Sequence, residues 1–256
     1  MRVVILAGGA GTRLSEETES KPKPMVEIGD QPMLWHITKH FAHYGFKEFV
    51  IALGYKGDVI KRFFMDYQSL SGSMTIDLSR GHVARHDLEC EGWIVHLIET
   101  GIPTNTGGRV KRLQPWLKDE TFLLTYGDGL CDIDYQKLLG FHRSHGRIAT
   151  VTAVRPPSRF GGLIFDGDLI KEFVEKPQVG EGWINGGFMV LEPGVFDYLE
   201  GDEDSLEAGA LERLAEDGQL AAYRHDSFWQ CMDTLRDKRY LEGLWREHQA
   251  PWKVWD

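Results

Sequence analysis

Gly8, Gly9 and Gly11 fall within four residues, Thr12 and Arg13 follow at once, and Lys23 stands between Pro22 and Pro24 ten residues beyond Arg13. Glycine has no Cβ, so a run of glycines tolerates positive φ and lets several backbone N–H groups close on a bound anion. Arg13 adds a planar, permanently charged fork suited to phosphate oxygens. Lys23 adds a compact ammonium on a segment that the flanking prolines stiffen. The combination reads as a cradle for a nucleotide polyphosphate that carries its own cations. Gly8–Gly11 alone fit a tight structural turn equally well; Arg13 and Lys23 are what favour the anion site. The order matches neither the Gly-Lys-Ser/Thr ending of a P-loop nor the Gly-x-Gly-x-x-Gly of a dinucleotide site.

Four other clusters carry chemically useful groups. Asp128 lies between Gly127 and Gly129 directly after an apolar run, where a carboxylate can hold Mg²⁺ that bridges substrate phosphates; an Asp-Gly turn without chemistry has the same composition. Thr104 to Arg109 is a second Gly-bearing turn, with Gly107 and Gly108, at the start of a helical pattern. Arg109 is its candidate phosphate clamp, although a helix capped by Thr106 explains the hydroxyl. Glu175 and Lys176 end one strand pattern, and Asn185 and Gly186 open the next. They can supply an acceptor, a cation and a mixed donor–acceptor to a sugar phosphate, and a surface Glu-Lys pair is the plainer reading. Asp233 and Thr234 precede a helical pattern, and either is a natural N-cap.

The elements that must position these groups follow from periodicity. Strand patterns at 3–7, 49–53, 93–99 and 122–125 alternate with helical ones at 32–44, 58–67 and 109–116, which predicts a largely parallel sheet with helices on both faces. Ligands of such sheets bind beyond the carboxyl ends of the strands, where the Gly loop and Asp128 fall. From residue 148 the pattern turns to shorter strands at 148–154, 162–165, 169–174 and 185–191, with Asp166-Gly167-Asp168 as a hairpin turn. This half is expected to extend the sheet with mixed strands and to build the acceptor pocket. Helices at 206–217 and 235–247 follow, then a tail in which Trp245, Trp252 and Trp255 must pack on something, either a second copy of the chain or the chain's own interior. We expect a single domain over 1–256, with a nucleotide-binding half at 1–147 and a sugar-phosphate half at 148–256.

Composition bounds the answer. The net charge of −10 argues against nucleic acid or an anionic membrane as partner. Cys90, Cys131 and Cys231 are odd in number and widely spaced, so neither a disulfide framework nor a Cys metal site is expected. With no long apolar stretch and no signal-peptide pattern at the start, a cytoplasmic protein is expected.

The Gly-Gly-x-Gly-Thr-Arg run followed by Lys-Pro-Lys-Pro-Met resembles the sugar-1-phosphate nucleotidylyltransferases. The likeness extends along the chain through Gly54-Tyr55-Lys56-Gly57, Tyr126 to Gly129, Arg159-Phe160-Gly161, Ile184 to Phe188 and Met232 to Asp237. It is strongest to those members that use CTP and glucose 1-phosphate. The resemblance implies a Rossmann-like α/β nucleotidyltransferase fold with a mixed, mainly parallel central sheet flanked by helices. It places Leu6, Ala7, Gly8, Gly9, Gly11, Thr12 and Arg13 at the nucleotide, with Lys23, Thr104, Gly108, Arg109 and Gly127 beside it. It gives Arg13, Lys23 and Asp128 catalytic roles, makes Asp128 and Asp233 the ligands of Mg²⁺, and assigns the sugar phosphate to Glu175, Lys176, Asn185 and Gly186. The terminal tryptophans and the Ser205 to Ala210 segment fit a homo-oligomer interface. Two departures lie in the second half: the segment Ser205 to Ala210, and Cys231 where a proline is expected before Met232-Asp233. The same chemistry with UTP or dTTP, a different phosphorylated acceptor, and a non-catalytic nucleotide-sugar sensor remain open at this point.

Overall fold

The computed structural model describes residues 1–11, 14–87, 91–156, 162–166, 169–174 and 182–255, the two short strands at 162–166 and 169–174 and residues 15 and 68 as backbone alone. Seven strands form the central sheet: β1 (Val3–Leu6), β2 (Glu48–Leu53), β3 (Ile94–Glu99), β4 (Phe122–Tyr126), β5 (Ala149–Val154), β6 (Ile184–Leu191) and β7 (Leu220–His225). Their order across the sheet is β7-β5-β6-β4-β1-β2-β3. β1 pairs parallel with β2 and β4, β2 with β3, and β5 with β7, whereas β6 runs antiparallel to both of its neighbours. The carboxyl ends of β1, β2, β4, β5 and β7 and the start of β6 therefore share one edge. This is the mixed, mainly parallel Rossmann-like sheet that the sequence predicts.

The sequence of β1 shows why. Val3 and Ile5 enter one hydrophobic core, and Val4 and Leu6 enter the other. A strand buried on both faces has to be apolar throughout, and this one is. One core takes Met33, Leu34, Ile37 and Phe41 from the helix Met33–His43 and Leu138 and Leu139 from the helix Tyr135–His145. The opposite core takes Val110, Val195, Leu206, Ala210 and Leu214.

Several elements differ from the sequence reading. The helix Tyr135–His145 and the strand β7 were not expected. The helix carries ordinary end signals, because the Asp134 side chain accepts from the N–H groups of Gln136 and Lys137, and Gly146 closes it at φ 63°. The strand pattern at 148–154 and that at 185–191 do enter the central sheet, but Gly162–Asp166 and Leu169–Val174 pair only with each other, with the 167–168 turn outside the described residues. The expected helix at 109–116 begins at Thr106 and breaks before Pro115, giving Thr106–Arg112 and Gln114–Leu117. The expected helix at 206–217 opens as a π-helical turn, Leu206–Leu211, with Ala208 off helical geometry at ψ 22°, and becomes α-helical only at Glu212–Glu216.

The tryptophan tail folds back on its own chain. Trp252 is completely buried, stacks against Phe228 and Trp245, and donates from Nε1 to His36 Nδ1 at 3.3 Å. His36 Nε2 in turn donates to the Ile28 carbonyl at 2.9 Å, so both ring nitrogens are engaged in the neutral form. Trp252 thus fills the core, and Trp245 and Trp255 pack half-buried against it. We expect Trp252→Ala to lower the unfolding free energy by about 3–5 kcal/mol in urea titrations; a loss below about 1 kcal/mol would show that the tail is not part of the core.

Burial holds His36 down to about 4 from an ordinary 6.5, ahead of the opposing pull of the Ile28 carbonyl. The unfolded chain then binds a proton that the folded chain refuses, so stability is intact above pH 6.5 and falls as the pH drops toward 4. We predict that His36→Gln reduces the slope of stability against pH over that window. A slope unchanged by the substitution would remove His36 from the acid response.

Candidate active site

The first glycine loop leaves β1 at the shared edge. Ala7 N–H still bonds the Ala52 carbonyl at 3.0 Å, and the Gly8 carbonyl accepts from Tyr55 N–H at 3.0 Å and from Arg109 Nη2 at 3.1 Å. Gly11 has φ 62°, and a Cβ there would sit 3.1 Å from both the Lys23 Cβ and the Thr18 Cγ2. The glycines are needed here for close approach: at Gly8 a Cβ would lie 2.2 Å from Arg109 Nη1. The loop borders a cleft of about 400 Å³ lined by Leu6, Ala7, Gly8, Gly9, Gly11, Lys23, Thr104, Arg109, Gly127 and Asp128, together with Pro24, Asn105, Thr106 and Tyr126. Ten expected site residues thus meet in one place. Gly108 is not among them; it packs on the backbone of Asp202, 2.6 Å from where its Cβ would be, and serves the approach of two segments. Thr12, Arg13, Glu175 and Lys176 lie outside the described residues.

Lys23 opens a short 3₁₀ turn, Lys23–Met25, after Pro22, and is buried. Its Nζ donates to Asp128 Oδ2 at 2.6 Å and to Asp233 Oδ1 at 2.5 Å. Burial opposes the ammonium's charge, but the two carboxylates, Asp128 foremost, outweigh it and raise the group above its ordinary value. Asp128 and Asp233 are brought together by a two-stranded ladder in which Gly129–Cys131 runs antiparallel to Trp229–Cys231, with Gly129 opposite Cys231. Met232 N–H closes onto the Asp128 carbonyl at 2.8 Å. Of the two possible caps for the last helix, Thr234 is the one used: its hydroxyl accepts from Asp237 N–H, and Asp237 answers in a reciprocal capping box. The Asp233 carboxylate is thereby left to face Lys23.

Arg109 takes a geometry the sequence did not suggest. Nη1 donates to the Leu53 and Gly101 carbonyls and to Thr100 Oγ1, and Nη2 donates to the Gly8 and Ile102 carbonyls, all between 2.7 and 3.2 Å. The guanidinium is 4 % exposed, so its donors point back into the backbone while its charge borders the cleft. Its fork fixes the ends of β1 and β2 and places a permanent positive charge beneath Gly8. Thr106, expected as a helix cap, also differs: its hydroxyl donates to Glu207 Oε2 at 2.7 Å and accepts from Leu206 N–H. On the acceptor side, Asn185 Oδ1 accepts from Gly187 N–H at 2.9 Å, and the Gly186 carbonyl accepts from Trp229 Nε1 at 2.7 Å. Both sit at the start of β6, outside the cleft lining. Tyr126 and Asn105 lie in segments the sequence singles out but carry no role there, and Glu207 lies in the Ser205 to Ala210 segment marked only as a departure.

A family model described as nucleotidyl transferase matches residues 2–242, and the chain belongs to that family. It is 49% identical over 257 residues, covering 100% of both chains, to the glucose-1-phosphate cytidylyltransferase of Salmonella typhi. It is 33% identical to the mannose-1-phosphate guanylyltransferase catalytic subunit beta of Dictyostelium discoideum over 95% of this chain and 64% of that one. Among solved structures, HddC from Yersinia pseudotuberculosis superposes with a TM-score of 0.67 at 25% identity, covering 95% of this chain and 99% of that one.

The fork of Arg109 gives a direct test of how the cleft is held. We expect Arg109→Leu to cost about 2 kcal/mol or more of unfolding free energy, because it leaves buried carbonyls without donors. An unchanged urea midpoint would show that the fork does not fix the loop.

Proposed function

We propose that the protein transfers a cytidylyl group from CTP to α-D-glucose 1-phosphate, giving CDP-glucose and pyrophosphate, with Mg²⁺ as cofactor. The observation that carries the reading is the convergence of Lys23, Asp128 and Asp233 at one end of a glycine-lined cleft, in a chain with the family relationship above. A phosphate oxygen of the sugar phosphate attacks the α-phosphorus of CTP, a new P–O bond forms, and the bond to the β-phosphate breaks with its electron pair leaving on pyrophosphate. The nucleophile is already anionic, so no side chain has to remove a proton. The difficulty is bringing two polyanions together, which is a matter of positioning and charge neutralisation.

The residues divide that work. The backbone of Leu6, Ala7, Gly8, Gly9 and Gly11, with Thr12, holds the nucleotide, with Arg109's charge beneath. Lys23 and Arg13 neutralise charge that develops toward pyrophosphate. Glu175, Lys176, Asn185 and Gly186 hold the sugar phosphate. Two carboxylates converging on one cation fit a Mg²⁺ site, since that ion is commonly held by one or two carboxylates plus substrate phosphates. Asp128 and Asp233 would hold the ion, which would supply further charge neutralisation to the reacting phosphates. The ammonium of Lys23 keeps the carboxylate pair together.

The chain is read as a single domain, and as a homo-oligomer. With Trp252 used internally, support for association rests on the hairpin of Ser73–Asp77 and His82–His86, which among the described residues pairs with no other strand and exposes Ile76, Leu78 and Val83. Among the described residues no helix is long and apolar enough to cross a membrane.

The test is pyrophosphate release from Mg²⁺, glucose 1-phosphate and each of CTP, UTP, dTTP, ATP and GTP. CTP is expected to be the preferred nucleotide, and EDTA to stop release; preference for another nucleotide would move the specificity, and silence with all five would overturn the reading. Lys23→Ala is expected to lower turnover on the order of a hundredfold, as removal of a preorganised charge-stabilising donor does; near-normal turnover would remove Lys23 from the chemistry.

A further inference from the structure

Glu207 lies outside the cleft lining yet holds two residues that belong to it. Its Oε1 accepts from the Tyr126 hydroxyl, and its Oε2 accepts from Thr106 Oγ1 at 2.7 Å and Ser205 Oγ at 2.9 Å. Tyr126 is the last residue of β4, and Thr106 opens the helix Thr106–Arg112, so a single carboxylate ties together two elements of the cleft wall. The donors have further partners: Thr106 Oγ1 accepts from Leu206 N–H, and Ser205 Oγ accepts from Ala208 N–H. Both hydroxyls therefore have their protons directed at Glu207. Burial pushes the Glu207 carboxyl up, but the Tyr126, Thr106 and Ser205 hydroxyls and its own backbone prevail and hold it below the ordinary range.

The backbone is shaped to deliver this carboxylate. Glu207 lies in the π-helical turn Leu206–Leu211, and such turns widen a helix locally and recur at functional sites. Asn105 N–H bonds the Asp202 carbonyl at 2.8 Å, and Asn105 Nδ2 donates to the Glu203 carbonyl at 2.8 Å. A Cβ on Gly107 would lie 2.7 Å from the Asp204 carbonyl oxygen, so the turn and the 202–207 segment are in direct backbone contact. On its other side Tyr126 meets Gly187, whose φ of 82° and missing side chain leave room for the ring; a Cβ there would be 2.5 Å from Tyr126 Cδ2. Tyr126 thus stands between the nucleotide cleft and the start of the acceptor strand, fixed at its hydroxyl by Glu207 and at its ring by Gly187.

One atom on this wall lacks a partner. Thr104 Oγ1 is buried without a hydrogen bond, in a residue 5 % exposed that lines the cleft two positions before Thr106. Buried hydroxyls are normally satisfied, so this one is an unpaired polar atom within the wall itself. Its position depends on the turn that Glu207 anchors.

We propose that Glu207 is a positioning residue for nucleotidyl transfer, which acts through Thr106 and Tyr126 to hold the cleft in the shape that binds and selects the nucleotide. The inference rests on the functional reading above. It also gives a role to the Ser205 to Ala210 segment, which the sequence marks only as a departure.

The test compares wild type with Glu207→Gln, Tyr126→Phe and the double variant, each checked for folding by thermal unfolding. We expect the nucleotide KM to rise about tenfold in Glu207→Gln, as loss of a charge-assisted hydrogen-bond network does. The preference between CTP and UTP should narrow and the sugar-phosphate KM should change far less, while the double variant should show less than the product of the two single effects. A residue with only a structural role would lower the melting temperature and leave the nucleotide KM and preference in place. Nucleotide KM and preference within twofold of wild type in both folded single variants would overturn the proposal. CTP affinity is measured in parallel by calorimetry, so an inactive wild type would refute the functional reading while this comparison of affinities still decides the role of Glu207.

Discussion

A buried ammonium between two carboxylates is the interaction on which the rest of the site depends. Lys23 comes from the segment after the first glycine loop, Asp128 from the end of β4, and Asp233 from the turn before the last helix. Three stretches far apart in sequence meet here, and one cation between the two carboxylates offsets the repulsion they would otherwise feel in a partly desolvated cleft. The small ladder between Gly129–Cys131 and Trp229–Cys231 fixes the two acids at that spacing. The arrangement gives the cleft a defined polar end that suits either an ammonium or a divalent ion with phosphate attached.

The second constraint is the way the site borrows rigidity from the two cores. Arg109 sits deep in the edge of the sheet and ties β1, β2 and the 100–102 segment through carbonyl oxygens. Its charge needs no carboxylate among those bonds, and the loop above it gains an electropositive floor. Glu207 performs the converse task on the opposite core's side, where a negative group collects hydroxyls from β4 and the 104–108 turn. One buried cation and one half-buried anion, each satisfied by neutral groups, set the cleft's two supports.

Much of this was legible from sequence, and the reasons are physical. The apolar run of β1, the glycines after it and the Lys-Pro context each report a local requirement: burial on both faces, close backbone approach, a stiff stem. Asp128 was legible because strand ends in α/β sheets face the ligand. The contact of Asp233 with Lys23 was not, since it depends on a ladder between residues about a hundred positions apart. The bonds of the Arg109 fork to backbone carbonyls were not legible, because a basic residue at a helix start looks the same whether its donors face solvent or backbone. The helix Tyr135–His145 was overlooked although Asp134 and Gly146 mark both ends. The tryptophan tail shows the limit of composition: aromatic richness says that something is buried, and only the fold says against what.

The measurement that reaches the central claim most directly is a crystal structure of the protein soaked with Mn²⁺ and a non-hydrolysable CTP analogue, read by anomalous scattering. The account predicts a manganese peak bonded to both Asp128 and Asp233, with the Lys23 ammonium moved onto the nucleotide phosphates. Manganese bound elsewhere, or Lys23 still paired to both carboxylates beside a bound nucleotide, would contradict it.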